Sequence, residues 1–517
     1  MSIKQLQNRW NEDKNFFLNK ELGELQDFVK DILQDSEIFS LKKGLGSTLN
    51  KKRKYEFTIE TSKEGRHADF VIFINGEDVV IPVEVEKHNN IKKGIEQIFQ
   101  YQKDWNKKYG ILTDGNEWRF YRSNKYRTFY IDSILNNVKD FLVYWTEYIK
   151  PENYYIELFN QDDKEEIEKL NLNQSENRIL FFDDITQVIN NFKGKMKAIG
   201  AFDDLFKIKE YDKIAVETSY AYLIQFILYK VLVDNGYKKF NIEYNNTLKK
   251  IQKALNDKDF YSIIINEIKN ISEYISHHIY IPFAAEQKSI NNKLIDNLRG
   301  NLSIDDIAPW LDIIIFINRY DFAGLKNEIF GYIYENYLKD LYDEKNKGQY
   351  FTDSAVVNFM LKEIGYTEKV IQEKAKVSQI SIIDPSCGAG TFLYSAADKI
   401  INSFDDGTEQ KSKYIEDLID KNIFGLDIEE FPLYLAEMNI LMRLLPLIVN
   451  DNYENPVDNK LKIFKTKDSI SEFLDTGINS KVDEEITLFN HLEKTALDYL
   501  RIPVKPATHS GQNLTTW

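Results

Sequence analysis

In three short runs near the amino terminus, residues 55–60, 68–74 and 79–85, apolar residues alternate with polar ones or follow one another unbroken, as in β-strands. Asn75-Gly76, between the second and third runs, predicts a tight turn, because both residue types tolerate positive φ. From Ile91 to Trp105 the period lengthens to that of an amphipathic helix, with Ile95, Ile98 and Phe99 on one face. Residues 110–113 and 118–121 then flank Asp114-Gly115-Asn116 and predict a hairpin. Between about 151 and 340 the pattern is helical, rich in Ile, Leu and Tyr, poor in glycine and without an internal repeat. From Gly348 onward strand and helix signals alternate again. They comprise a strand at 380–383, a glycine turn at 388–390, a helix at 392–402 and a strand at 423–426 ending at Asp427. Such alternation predicts a parallel, doubly wound sheet.

The pattern therefore divides the chain into an α/β segment (1–150), a helical connector (151–340), a second α/β segment (341–502) and a Thr-, Pro- and Ser-rich stretch (503–517) that reads as a loop, a tail or the scar of a truncation. A length of 517 residues fits about three domains. Composition changes the picture in three places. One cysteine excludes a disulfide scaffold and a cysteine-rich zinc site, and fits a reducing, cytoplasmic compartment. Residues 1–20 lack the apolar core of a signal peptide. The most apolar stretches, 221–232 and 311–317, are short and carry Gln225, Lys230 and Asp312, so no membrane span or membrane partner is expected. A net charge of −15 argues against a nucleic-acid partner only as an average. Residues 41–54 contain Lys42, Lys43, Lys51, Lys52, Arg53 and Lys54 and no acid, just ahead of the first strand, a placement that favours phosphate contacts.

Two constellations carry chemistry. In the first, Asp69 lies in one strand run, and in the next Val83 and Val85 would face one side of the sheet while Glu84 and Glu86 face the other. Carboxylates sharing a face repel one another unless a cation relieves them, and Mg²⁺ prefers a few carboxylates plus water and phosphate oxygens. Lys87 sits beside them as a charge partner for an attacked phosphate. Asp69, Glu84, the following helix with Gln97 and Tyr101, and the Gly-Ile-Leu-Thr-Asp-Gly hairpin resemble the amino-terminal nuclease domain of Type I and Type IIG restriction enzymes, over roughly residues 20–135. The resemblance implies a PD-(D/E)xK fold, Mg²⁺ held by Asp69, Glu84 and Glu86, and catalysis involving these residues with Lys87, Gln97 and Tyr101. That family has lysine two residues after the glutamate, where this chain has Glu86. Three readings stay open: Glu86 serves as in Glu-x-Glu variants, a bulge brings Lys87 inward, or the site is silent. Glu24, on an upstream helix, is a further candidate ligand.

The second constellation is Asp384-Pro385-Ser386-Cys387-Gly388-Ala389-Gly390-Thr391, a glycine turn between a strand and a helix, where backbone approaches a ligand closely and a helix amino terminus favours a carboxylate. Asp427, ending the next strand, can accept hydrogen bonds from ribose hydroxyls. Together with Gly348-Gln349-Tyr350-Phe351-Thr352 and Ala436-Glu437-Met438-Asn439-Ile440-Leu441, these blocks resemble, in this order, the gamma-class N6-adenine DNA methyltransferases. The resemblance implies a Rossmann-like core binding S-adenosylmethionine through Thr352, Asp384, Pro385, Gly388, Gly390 and Asp427, with Asp468 at the next acidic position. In that family proline usually follows the threonine; here Asp353 does. Cys387 is an ordinary occupant of the motif and is not read as a nucleophile.

The family's Asn-Pro-Pro-Tyr/Phe loop, which holds the flipped base, does not occur. The core is therefore expected to be incomplete, binding the cofactor without methylating. The expectation is an α/β multidomain restriction–modification polypeptide of Type IIG character, used in phage defence. Its partner is double-stranded DNA, directed by a specificity subunit or a missing carboxy-terminal recognition domain. The rival expectation is a non-catalytic, cofactor-sensing DNA-binding scaffold.

Overall fold

The computed structural model describes residues 2–17, 22–43, 55–63, 65–76, 78–105, 108–160, 164–200, 211–257, 261–295, 298, 302–323, 330, 352–377, 379–405, 407–448 and 461–466. Residues 44–54 of the basic run, residues 348–351, Asp468 and the carboxy-terminal stretch lie outside them. Contacts divide the chain into two units. The first gathers Met1–Phe192, Val233–Lys269 and Arg299–Leu325, the second Lys193–Leu232, Asn270–Leu298 and Lys326–Trp517.

The first unit is built on an eight-stranded sheet whose spatial order follows the chain. Its strands are β1 (Lys42–Lys43), β2 (Tyr55–Lys63), β3 (Arg66–Ile74), β4 (Val79–Val85), β5 (Tyr109–Thr113), β6 (Glu117–Arg122), β7 (Lys125–Tyr130) and β8 (Glu165–Ile167). Asn75 and Gly76 make the β3–β4 turn, both at positive φ, as the sequence predicts. β4 and β5 run parallel because a crossover joins them: a 3₁₀ turn, Ile91–Gly94, followed by the helix α3, Ile95–Asp104. Two amino-terminal helices, α1 (Ile3–Phe17) and α2 (Leu22–Gln34), complete this part. Every residue of β4 is buried, because α2 and α3 both pack on it. Glu84 therefore does not lie on an open, solvated face.

A second device fixes α3. Arg319, near the end of the helix Ile304–Arg319, stacks its guanidinium over Phe99 at 4.5 Å. It also donates to Asp184 at 2.7 Å and to the Gln102 side-chain oxygen. Gln102 in turn donates to the Ser123 carbonyl at 3.0 Å. Beside this group, β9 (Leu170–Asn171) pairs in parallel with β10 (Tyr320–Asp321).

The second unit contains the parallel sheet that alternation predicts, with β11 (Ile382–Asp384), β12 (Ile423–Asp427) and β13 (Lys462–Lys465) in that order. The helix Thr391–Phe404 follows the glycine turn, and Glu430–Ile448 follows β12. The latter, not either stretch singled out in the sequence, is the one helix among the described residues long and apolar enough to cross a membrane, and 89 % of it is buried inside the unit. Some of its polar groups are matched internally. Tyr280 donates its hydroxyl proton to Glu437 at 2.9 Å and accepts from the Leu461 amide at 2.8 Å. Gln225 donates to the Tyr434 hydroxyl at 2.8 Å. Buried polar groups matched in this way mark it as a core helix of this unit.

Candidate functional site

In the first unit, β3 and β4 pair antiparallel with Phe70 opposite Val83, so the next register position sets Asp69 opposite Glu84. Asp69 is half-buried and accepts the Val85 amide at 2.8 Å and the Gln26 side-chain amide at 2.6 Å. Glu84 is 7 % exposed and accepts from Gln97 of α3 at 2.8 Å through Oε1. Its other oxygen, Oε2, is buried without a hydrogen-bond partner. Burial first, and then the neighbouring Asp69 charge, push the Glu84 carboxyl up to about 8. Tyr101, one turn after Gln97, donates its hydroxyl to the His67 carbonyl at 2.7 Å, and burial and the Glu84 charge push its own titration upward.

Glu86 lies just past the end of β4, half-buried, with its amide donating to Thr113 at 2.8 Å. Burial raises its carboxyl, while the Lys87 amide and then the Lys93 and Lys87 charges oppose the rise. Lys87 is exposed. Among the described residues no three His, Cys, Asp or Glu side chains converge closely enough to hold a metal alone. The Asp69–Glu84 pair brings hard oxygen donors and one orphaned buried oxygen. That suits Mg²⁺, which completes its shell with water and phosphate oxygens. The upstream helix contributes Gln26 rather than Glu24, which is exposed. An uncharged side chain facing an acid leaves no pattern in the sequence, so Gln26 escapes a reading based on carboxylates.

In the second unit Asp384 and Asp427 end the adjacent parallel strands β11 and β12, both half-buried, at the edge where such sheets receive ligands. Burial and the Asp427 charge raise the Asp384 carboxyl. Asp384 accepts the Ser386 amide at 3.1 Å, and Asp427 accepts the Gly388 amide at 2.9 Å and the Glu429 amide at 3.0 Å. Gly388 and Gly390 have φ of +52° and +86°, left-handed conformations that glycine adopts without the strain of a side chain. A Cβ on Gly390 would sit 2.7 Å from the Ala436 Cβ and 2.9 Å from its Cα, which explains why small residues face each other there. Gly390→Ala is expected to destabilise the protein by about 3 kcal/mol, from combined backbone strain and overpacking. Urea unfolding followed by circular dichroism reads that loss, and an unchanged midpoint would refute the packing argument.

The rest of the block falls around this turn. Asn439 donates to the Ala389 carbonyl at 3.0 Å and is fully buried. Pro385 and Thr352 are exposed, and Thr352 lies one residue before Asp353, which caps the helix Ser354–Glu363 by accepting the Ala355 amide at 2.7 Å. Asp353 thus has a structural task of its own in place of the expected proline. Burial, with Asp384 and Asp427 nearby, holds the Cys387 thiol well above its usual titration range, consistent with a packed rather than nucleophilic cysteine. Ile428, beside Asp427, is half exposed and leaves an apolar surface next to the acid. Sequence periodicity hid it, because one exposed isoleucine after a strand looks like any strand end.

Comparison with known proteins agrees with both halves. Residues 325–466 match the family model described as N-6 DNA Methylase, and residues 49–134 match that of the Type I restriction enzyme R protein N terminus. The methylase subunit of the Type I restriction enzyme EcoEI of Escherichia coli is 29 % identical over 150 residues, covering 29 % of this chain and 28 % of the relative. A protein of Methanocaldococcus jannaschii, named as a type II restriction enzyme and methyltransferase, is 22 % identical over 509 residues, covering 81 % of this chain and 40 % of the relative. A cryoEM structure of a DrdV–DNA complex aligns at 12 % identity with a TM-score of 0.30, covering 88 % of this chain and 39 % of that one. The chain thus spans less than half the length of the relatives it matches. It is related to restriction–modification proteins, and its methylase match implies use of S-adenosylmethionine.

Proposed function

We propose that this chain is a restriction–modification polypeptide of Type IIG character, acting in the cytoplasm against foreign double-stranded DNA. It unites a Mg²⁺-dependent PD-(D/E)xK nuclease domain (1–150), a helical connector (151–340) and an S-adenosylmethionine-binding N6-adenine methyltransferase core (341–502). The observation that carries the nuclease half is the buried, unpartnered Glu84 oxygen beside Asp69. Asp69 and Glu84 would hold the cation, with Glu86 at the rim. When bound, Mg²⁺ supplies charge neutralisation on the phosphate and an activated water. Gln97 orients Glu84 through the hydrogen bond to Oε1, and Val85 and Gln26 orient Asp69. Tyr101, bound to the His67 carbonyl, ties α3 to β3 beside the pair. Lys87 remains on the outer side, where a phosphate would arrive.

In the second unit, the Gly388–Gly390 turn with Asp384 and Asp427 supports a cofactor site, with Thr352, Pro385 and Asp468 as further contacts. When bound, S-adenosylmethionine supplies the transferable methyl group. Asp427 would share its carboxylate between the turn amide and a ribose hydroxyl, and Ile428 offers an apolar face to a purine. The chain contains no Asn-Pro-Pro-Tyr/Phe loop. Methyl transfer would therefore need a base-holding element from further residues or a partner such as a specificity subunit.

The test is incubation of unmethylated phage DNA with the purified chain and Mg²⁺, with and without S-adenosylmethionine, beside calorimetric titration of the cofactor. Nicked or discrete products and saturable cofactor binding are the expected results. Cofactor binding with intact DNA would favour the non-catalytic scaffold, for which Glu86 in the lysine position is the supporting observation.

A further inference from the structure

After Glu86, which follows β4, the chain runs Lys87-His88-Asn89-Asn90-Ile91-Lys92-Lys93-Gly94 to the start of α3 without a further acid. Its last four residues form the 3₁₀ turn Ile91–Gly94, anchored by buried Ile91 and Gly94 and presenting Lys92 and Lys93 to solvent. Gly94 fixes where that turn lies. A Cβ there would meet Leu112 Cδ1 at 2.3 Å, Glu86 Cγ at 3.0 Å and Glu84 Cγ at 3.5 Å, so the turn rests directly on the stems of both glutamates. Some other lysines of this unit are committed to acids, such as Lys103 to Asp183 and Lys108 to Asp312. Lys87, Lys92 and Lys93 have no carboxylate within 4 Å among the described residues. Glu96, exposed on the first turn of α3, pairs with neither lysine of the turn. Lys92 and Lys93 on the turn, with Lys87 just before it, stand beside the carboxylate pair; Glu86 feels the Lys93 and Lys87 charges, but no direct ion pair keeps the three exposed ammonium groups from an external anion.

We propose that the Lys92-Lys93 turn is a phosphate-contact surface for duplex DNA, holding the backbone of the strand presented to Asp69 and Glu84. This rests on the nuclease reading for the purpose of the contact, though not for its existence. A cation that contacts a DNA phosphate releases condensed counterions, so each such lysine leaves a mark on the salt dependence of binding, about 0.9 in the log–log slope per phosphate contact. The same lysines would also draw the phosphodiester toward the acid pair, which otherwise repels it.

The experiment measures binding of a short fluorescent duplex by anisotropy across salt concentrations, in chelator so that no cleavage occurs. The proteins are the full chain, Lys92→Ala/Lys93→Ala, Lys92→Arg/Lys93→Arg, and a charge-matched control, Lys249→Ala/Lys253→Ala, on the distant helix Lys238–Asn256. The alanine pair at 92 and 93 is expected to bind roughly ten-fold more weakly and to flatten the salt slope by about 2. The arginine pair should restore both, and the control should change neither. An alanine pair that binds like the control, or a parent chain without salt-dependent binding, overturns the proposal. A parent chain that binds through these lysines yet leaves DNA intact in Mg²⁺ overturns the nuclease reading and leaves the contact standing.

Discussion

Asp69→Asn is expected to lower Mg²⁺-dependent DNA cleavage about 1,000-fold or more, without lowering the stability of the metal-free protein at pH 8. The substitution removes a full negative charge from a pair that lies opposite one another across β3 and β4. Its steric effect is small, since asparagine keeps an acceptor for the Val85 amide. Gln26 can rotate its own amide to meet the new NH₂ group, so the other contact of Asp69 also survives in changed polarity. What is lost is the charge that a cation and, through it, the phosphate would use. The repulsion that Glu84 feels from Asp69 disappears as well, which favours the fold. Cleavage rate and thermal unfolding, measured on the same preparation, separate the outcomes. An active variant would remove Asp69 from the site. An inactive variant with a lowered melting point would assign it to architecture.

Glu84→Gln carries the second large effect, on stability and its pH dependence. The folded carboxyl titrates at about 8, whereas in an unfolded chain it titrates near 4.5. Between those values the folded state holds a proton that the unfolded state has released. Stability therefore falls as pH rises through that window and levels off above it. The metal-free protein should lose on the order of 3 kcal/mol between pH 5 and pH 8.5 from this group. Glu84→Gln, neutral at this position throughout, should lose less by about that amount over the same range and be more stable than the parent at pH 8.5. Millimolar Mg²⁺ should restore the parent at high pH and leave the variant unchanged, because a ligand that binds only the folded state stabilises it in proportion to occupancy. Denaturant titrations at several pH values, with and without Mg²⁺, decide this. Parallel curves for the two proteins would mean that Glu84 is not electrostatically strained.

Much of this molecule was legible in the order of its residues. The strand runs at 79–85 and 423–427 and the Asn75-Gly76 turn are local events, set by β-branched residues and by side chains that accept positive φ. The glycine motif was legible for the same reason, since Gly388 and Gly390 both adopt left-handed backbone conformations that favour glycine. What periodicity could not convey was burial of the acidic side of β4. That depends on α2 and α3 arriving from elsewhere in the chain, and a strand flanked on both faces carries no alternation of its own to announce the second cover. Gln26 and Arg319 were invisible on similar grounds. Each acts through a partner 43 or 217 positions away, and nothing in its neighbours marks it. The helix Glu430–Ile448 was overlooked for the opposite reason: Glu437 and Asn439 interrupt its apolar run, and only their buried partners reveal it as core.

The grip of Arg319 on Phe99 and Gln102 has a consequence for the order of events during synthesis. The helix that aims Gln97 at Glu84 is complete in sequence by Asp104, yet the residue that pins its far end emerges from the ribosome some two hundred positions later. A contact of that span closes late, after the intervening chain has been made and has condensed. A nascent polypeptide therefore carries the Asp69–Glu84 pair before its supporting helix has met Arg319, and that contact closes only when the helical stretch has been translated. Under the proposed nuclease reading, chain length itself would delay assembly of the site.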